Sequence, residues 1–455
     1  MGSLVGLDRL SLIEIKRLLS YLPKASIGIR FTDMVQFEKE TIASQWQSLD
    51  IENDLLSEAA RSIGAGSATD AGRFWRLPTE HPDPIVLAGG IPDDTALPTE
   101  DLINSFSKSI RDDFRESLMY GGWFGYEGLR QLIADRQNKI EGTNLLPDNI
   151  IMHNGSSGCL ENVCKAFVGS GDIAIVESPS YSGTVRAIRG FRAEVVEVPM
   201  DKEGINPDLF KETVESLVAQ GKRVKLFYTI PDYHNPMGNV TTLEIRKAIL
   251  EICAEHKILI AEDAAYTEIY YDTPPPPSYY ALSDGHGVIK MGSFSKILAT
   301  GLRAGWIQAR DELAEPLTKV RFDMGNSSLV HYALADLIES GKLDSHIDSM
   351  RDLYKSKCRT MVDSLRKYCD PYVELEEPEG GYFLWVKCTQ TKAFDLIQAA
   401  AEEGVIFPLG SIFYVDSSLD DSHFRLAFTR APFEHLEEAS RRIGKAFEKV
   451  LDIQN

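Results

Sequence analysis

The sequence predicts an α/β protein: a mainly parallel sheet covered by helices, with a smaller α+β domain. Three observations carry this expectation. From about residue 150, short apolar runs alternate with helix-like stretches, as in strands joined by crossover helices. After about residue 330 the texture changes to long amphipathic helices, a meander and a closing helix. Between them, polar groups gather just behind the apolar runs, where ligands bind in an open parallel sheet.

Taken in order, "LSLIEIKRLLSYL" near the start spaces its apolar residues for a helix, and "GAGSATDAG" (64–72) reads as a linker. "NIIMHNGSSG" is a short apolar strand entering a Gly/Ser turn, and "CLENVCKAFV" continues as a helix. "DIAIVES", "RAEVVEVP", "VKLFYTI", "ILIAED" and "GVIKMG" are further strands, with "TTLEIRKAILEICAEH" a helix between two of them. "PPPP" (274–277) is an extended surface turn, because proline supplies no backbone donor. "EGGYFLWVK" and "HFRLAFT" form the meander, and "EHLEEASRRIGKAFEKVL" closes the chain.

Composition narrows the function. The chain has 455 residues, 43% hydrophobic and 25% charged, enough for two or three domains with a sizeable core. A formal net charge of -20 argues against a nucleic-acid or anionic-membrane partner. No run approaches the ~18 continuous apolar residues that span a bilayer. The N-terminus lacks the apolar core of a signal peptide, and the six cysteines contain no CxxC pair, so reduced thiols and a cytoplasmic location are expected. No metal-ligand set is assigned.

The strand ends carry the chemistry. Behind "NIIMHN" stand Gly155, Ser156, Ser157 and Gly158, an anion cradle at a helix start or simply an N-cap. Behind "DIAIVES" stands Tyr181. Behind "VKLFYTI" stands Asn235, a ligand or a turn residue. "ILIAED" delivers Asp263 and Tyr266, and Asp263 alone could be a helix cap. "GVIKMG" leads to Ser293, Ser295, Lys296 and Arg303. Together they set an anion cradle, a carboxylate and a lysine at the ends of one sheet. A buried carboxylate wants a cation. One ligand answers all three, pyridoxal phosphate: its phosphate fills the cradle, its pyridinium nitrogen pairs with Asp263, and its aldehyde condenses with Lys296.

At this point the sequence resembles the fold-type-I pyridoxal-phosphate enzymes, specifically the class I/II aminotransferases. The branch it is most similar to is that of the 2-aminoadipate, kynurenine and aromatic aminotransferases. "SFSKILATGLRAGWI" matches the family's S-x-S-K-x-x-x-x-G-x-R-x-G motif. "LAGGIPDDTALP", "LMYGGWFGYEGLR", "ESPSYSGT", "YTIPDYHNPMG", "AEDAAYTEI", "PEGGYFLWV" and "FRLAFT" match further blocks in family order, over about residues 85 to 455.

The resemblance implies a role for each site residue. Lys296 holds the cofactor as a Schiff base and shuttles the proton. Asp263 pairs with the pyridine nitrogen, and Tyr266 and Asn235 bond the ring hydroxyl. Tyr181 stacks on the ring. Ser156, Ser157, Ser293, Ser295 and Arg303 hold the phosphate. Tyr120 reaches the phosphate of a neighbouring subunit, which implies a homodimer with shared active sites. Arg425 clamps the substrate carboxylate, with Gly90 and Asn235 beside it. The implied domains are a helical extension and linker (1–84), a small-domain segment and arm (85–115), a large cofactor domain (116–330) and a small C-terminal domain (331–455).

Four departures stand out: Met237 where the family usually has threonine, Ser157 for glutamine, Thr300 for proline, and Leu409 before Gly410 for proline. None removes a required chemical group. Trp123, Tyr382 and Phe413 line the substrate pocket or pack the core; His234 reads as a turn or packing residue.

The implied reaction moves the amino group of an L-amino acid to a 2-oxo acid, by way of pyridoxamine phosphate. Replacement, cyclisation, decarboxylation or oxidation of an amino acid on the same scaffold is the alternative, because the cofactor makes the carbanion in each. A transcription regulator is disfavoured: residues 1–84 carry nine Lys and Arg against twelve Asp and Glu, not the basic face DNA requires.

Overall fold

The computed structural model describes residues 39–63, apart from 41, 45 and 48, and residues 81–454. Two units divide the chain, Met1–Ser57 and Glu58–Asn455. The helix expected in "LSLIEIKRLLSYL" and the linker at 64–72 lie outside the described residues. Within the first unit, residues 39–47 are helical where described, and Ile51–Leu55 forms a π turn. The second unit opens with the helical turn Glu58–Ser62.

Among the described residues, thirteen strands follow. β1 is Ile85–Val86 and β2 is Ile150–His153; β3 and β4 are Asp172–Ser178 and Glu194–Asp201; β5 and β6 are Gly204–Ile205 and Arg223–Thr229. β7, β8 and β9 are Leu259–Asp263, Val288–Ser293 and Gly305–Gln308; β10 and β11 are Val373–Leu375 and Phe383–Cys388; β12 and β13 are Val405–Ile406 and His423–Ala427. The large sheet has the order β2-β9-β8-β7-β6-β3-β4-β5. β4, β3, β6, β7 and β8 are mutually parallel. β9 runs against both β2 and β8, a reversal that the apolar pattern does not signal. Every residue of β3 and β8 is buried, which is why they read as near-continuous apolar runs. β4, next to the short edge strand β5, is largely half-exposed and carries the charges expected near a sheet edge.

Six helices position the site and its surroundings: α1 (Gly155–Phe167), α2 (Ser182–Gly190), α3 (Leu243–His256), α4 (Phe294–Ile297), α5 (Lys342–Cys369) and α6 (Phe433–Gln454). A second, smaller sheet, β10-β11-β13, is antiparallel. It shares a separate core with α5 and α6, built from Met361, Leu365, Leu384, Leu426 and Phe447. β1 pairs in parallel with β12, so the segment at residue 85 joins this second core through Ile85 and Leu87. All six cysteines are free and buried.

Candidate active site

The parallel strands point their carboxyl ends to one edge, and the turns behind them line a cavity of about 1040 Å³. Lys296, Asp263, Tyr266, Asn235, Tyr181, Ser156, Ser157, Ser293, Ser295, Arg303, Gly90 and Arg425 all line it. Tyr120 is not among the residues that line it, and is 82% exposed.

Lys296 sits on α4, one turn of helix behind β8. Its Nζ donates to the carbonyl of Gly90 at 2.5 Å and lies 5.6 Å from the Tyr266 ring centroid. The hydroxyl of Tyr382 donates to the Lys296 carbonyl at 2.7 Å, which fixes the backbone that presents the amine. Desolvation and, less strongly, the nearby Arg425 charge pull the amine down to about 8. A substantial fraction is therefore neutral near physiological pH.

Asp263 ends β7. Its carboxylate accepts from the Tyr228 hydroxyl at 2.8 Å and the Ala265 amide at 3.2 Å. Burial raises it to about 6 despite these bonds. No Lys or Arg among the described residues forms an ion pair with it. Tyr228 was not singled out in the sequence; it stands in "VKLFYTI", on the strand adjacent to Asp263.

Arg425 comes from β13, in the other core, and reaches across. Its guanidinium donates to Asn235 Oδ1 at 2.6 Å and to the Ala88 carbonyl. It is sandwiched 4.3 Å from the Phe383 ring centroid and 4.7 Å from that of Phe413. Its Nε is buried without a partner. Burial lowers its pKa to about 10. Phe413 thus lines the cavity, whereas Tyr382 and Trp123 do not. His234 is buried with Nε2 3.2 Å from Glu177, a packing position beneath the site.

The anion cradle combines two turns. Gly155, at φ 73°, opens α1, and Ser293 caps α4 by accepting from the Ser295 amide at 3.1 Å. Arg303, itself at φ 48°, donates to the Asn154 carbonyl at 2.9 Å and to Ser157 Oγ at 3.3 Å. A Cβ at Gly155 would stand 3.1 Å from Arg303 Nη2, so glycine leaves the room this arginine occupies.

These features fit pyridoxal phosphate. A buried carboxylate without a cation suits a protonated ring nitrogen, the cradle suits a phosphate, and the desolvated amine suits an aldehyde. The unsatisfied Arg425 Nε suits a carboxylate of the substrate. Among the described residues no group of His, Cys, Asp and Glu is placed to hold a metal ion, and no helix is long and apolar enough to cross a membrane.

Comparison with known proteins agrees. The family model described as aminotransferase class I and II matches residues 82–443. Aromatic-amino-acid aminotransferase 1 of Thermococcus litoralis is 31% identical over 378 residues, covering 82% of this chain and 90% of the relative. The structure of a multiple substrate aminotransferase from Thermococcus profundus superimposes with a TM-score of 0.82 at 29% identity, covering 89% of this chain and 100% of that one. That of Pyrococcus horikoshii kynurenine aminotransferase, in complex with PMP, gives 0.81 at 27% identity, covering 88% of this chain and 98% of that one.

Proposed function

The chain belongs to the class I and II aminotransferases and is a pyridoxal-phosphate-dependent enzyme of amino-group transfer; from that premise we propose how its residues divide the work. Bound pyridoxal phosphate supplies the electron sink that makes the substrate Cα proton acidic. Ser156, Ser157, Ser293, Ser295 and Arg303 hold its phosphate. Asp263 keeps a proton on the ring nitrogen, its own position fixed by Tyr228. Asn235 and Tyr266 bond the ring hydroxyl, and Tyr181, 42% exposed to the cavity, covers a ring face.

Lys296 is the amine for the cofactor's aldehyde carbon, and the general base and acid. With its pKa lowered to about 8 it can take the proton from Cα and return it on the cofactor's side. Arg425 grips the α-carboxylate and so orients the Cα–H bond. The partners are an L-amino acid and a 2-oxo acid. The observation that carries this reading is the buried Asp263, with no ion pair among the described residues, facing the same cavity as Lys296.

A homodimer in the cytoplasm completes the reading. Leu118, Met119, Tyr120, Phe322 and Met324 are exposed apolar side chains on two loops, and Ser328, at the start of the helix after the second loop, donates from Oγ to the Met119 carbonyl at 2.7 Å. Such a patch supports a second copy as its cover, with Tyr120 serving the neighbouring site.

The test is direct. The purified protein should be yellow, and borohydride followed by peptide mass spectrometry should find the cofactor on Lys296. Adding an amino acid should bleach the colour with one equivalent of 2-oxo acid released. A colourless protein that does not take up pyridoxal phosphate, or a label on another lysine, overturns the assignment.

A further inference from the structure

One carboxylate of the large sheet is committed to the second core. Glu197 on β4 is half-buried and forms no ion pair among the described residues, although Glu194 on the same strand bonds Lys222 at 3.0 Å. Its Oε1 accepts from the Asp416 amide at 3.0 Å, and its Oε2 from the Val415 amide at 3.0 Å and the Ser178 hydroxyl at 2.9 Å. Ser178 ends β3, so the carboxylate is anchored to the strand beside its own. The two amides lie just behind Phe413, whose own carbonyl accepts from the Ser180 amide at 2.7 Å. Phe413 ends the short helical turn Gly410–Phe413, and Leu409 before it bridges to Phe424 on β13. The loop is thus rooted in the small sheet and pinned to the large one at three backbone groups.

The pinned loop bears on the site through one ring. The Phe413 ring centroid lies 4.7 Å from the Arg425 guanidinium, and Trp385 backs that ring edge-on at 5.8 Å. A guanidinium is attracted to a ring face only while the ring stays close, so moving Phe413 frees one side of Arg425. We propose that Glu197 is a positioning residue for substrate binding: by holding the amides behind Phe413 it keeps that ring on Arg425, and so keeps the guanidinium aimed at a carboxylate. The proposal rests on the role given to Arg425 above. Charged acceptors make the stronger hydrogen bonds, and two amides held by one carboxylate fix the loop where a single contact would let it hinge. Glu197 does not line the cavity and takes no part in proton transfer.

Titration calorimetry of the holoenzyme with pentanoate, a lone carboxylate on an apolar chain, tests this. Glu197→Ala should weaken pentanoate ~5-fold or more, a share of what two charge-assisted bonds contribute. Glu197→Gln, which keeps one carbonyl for the amides, should lie between that variant and wild type. The yellow colour and the retention of pyridoxal phosphate on dialysis should not change in either. In turnover, Glu197→Ala should raise KM more than it lowers kcat. Phe413→Ala should weaken pentanoate by itself, and Glu197→Ala added to it should weaken it little further, since Glu197 acts through that ring. Wild-type affinity in Glu197→Ala, an undiminished loss in the Phe413→Ala background, or lost colour in Glu197→Gln overturns the proposal. Arg425→Gln separates the two readings: it should weaken pentanoate as well. If it does not, the role of Arg425 fails, whatever Glu197 does.

Discussion

At the scale of single residues, the site holds two ionisable groups at a cost to the cofactor-free protein. The Asp263 carboxyl is raised from 3.8 to about 6. Its cost is absent below pH 4 or so, where it is neutral folded and unfolded, and complete above about 6. Stability of the cofactor-free protein therefore falls as pH rises through that window. Asp263→Asn keeps an acceptor for Tyr228 and removes the charge. It should stabilise the cofactor-free protein at pH 7.5 by on the order of 1–3 kcal/mol while cutting turnover ~100-fold or more. Thermal melts without cofactor and steady-state rates check both halves; a less stable variant of normal activity contradicts them. Lys296 runs the other way, lowered from 10.5 to about 8. Its cost is complete below about 8 and gone above about 10.5. Amine acylation at Lys296 in the cofactor-free protein should rise through pH 8, where an ordinary lysine reacts only near 10. Lys296→Ala should lower turnover at least ~1000-fold and leave the circular dichroism spectrum unchanged.

At the scale of elements, the cradle depends on how closely β9 approaches α1. A Cβ on Gly305 would stand 2.7 Å from the Gly155 Cα and from the Gly292 carbonyl oxygen, both backbone. Neither can swing aside, so Gly305→Ala must move the phosphate turn. It should destabilise the fold by about 1–3 kcal/mol and weaken retention of pyridoxal phosphate on dialysis. Gly301→Ala, with nothing within 4 Å, is the matched control and should do neither. The turn behind β6 has a different anchor. Arg246 on α3 donates to Asp232 Oδ1 at 2.5 Å, to the Thr241 carbonyl at 2.9 Å and to the Pro231 carbonyl at 3.2 Å, all buried. Arg246→Ala leaves Asp232 charged and unpaired, and should cost roughly 3–5 kcal/mol in denaturant unfolding. Asn235 stands three residues after Asp232, so loosening that turn should also weaken the grip on Arg425.

At the scale of the whole molecule, the two cores are joined where catalysis needs them. Lys296 of the large sheet bonds Gly90, and Arg425 of the small sheet bonds Asn235. Buried Lys357 on α5 bonds Asp93 at 2.5 Å and the Thr429 and Ala431 carbonyls at 2.7 and 2.8 Å, tying the segment after Gly90 to the end of β13. The proposed dimer makes a prediction at this scale. Phe322, 90% exposed, should lie in the interface, so Phe322→Asp should shift the sedimentation coefficient toward the monomer. If Tyr120 serves the neighbouring site, a mixed dimer of Tyr120→Phe and Lys296→Ala chains should place both defects in one site and leave the other intact. Its activity should then approach half of wild type.

The sequence by itself determined six of the eight strands of the large sheet, the residues behind them and the cofactor they fit. Local chain order suffices there, because in a parallel sheet every strand delivers the turn at its carboxyl end to the same edge. It did not reveal the reversed strand β9, four residues long, whose Gly305 packs on the cradle. Nor did apolar periodicity show that Tyr228 bonds Asp263, since a buried strand tyrosine reads as core. Arg425 was legible only through resemblance, because 190 residues separate it from Asn235 and no local pattern spans two cores. Only the tertiary structure decided that Arg425 keeps an unpartnered Nε and that no Lys or Arg among the described residues forms an ion pair with Asp263. Burial and unmet partners belong to the packed chain: they depend on the groups that surround a side chain in space, not on its neighbours in sequence.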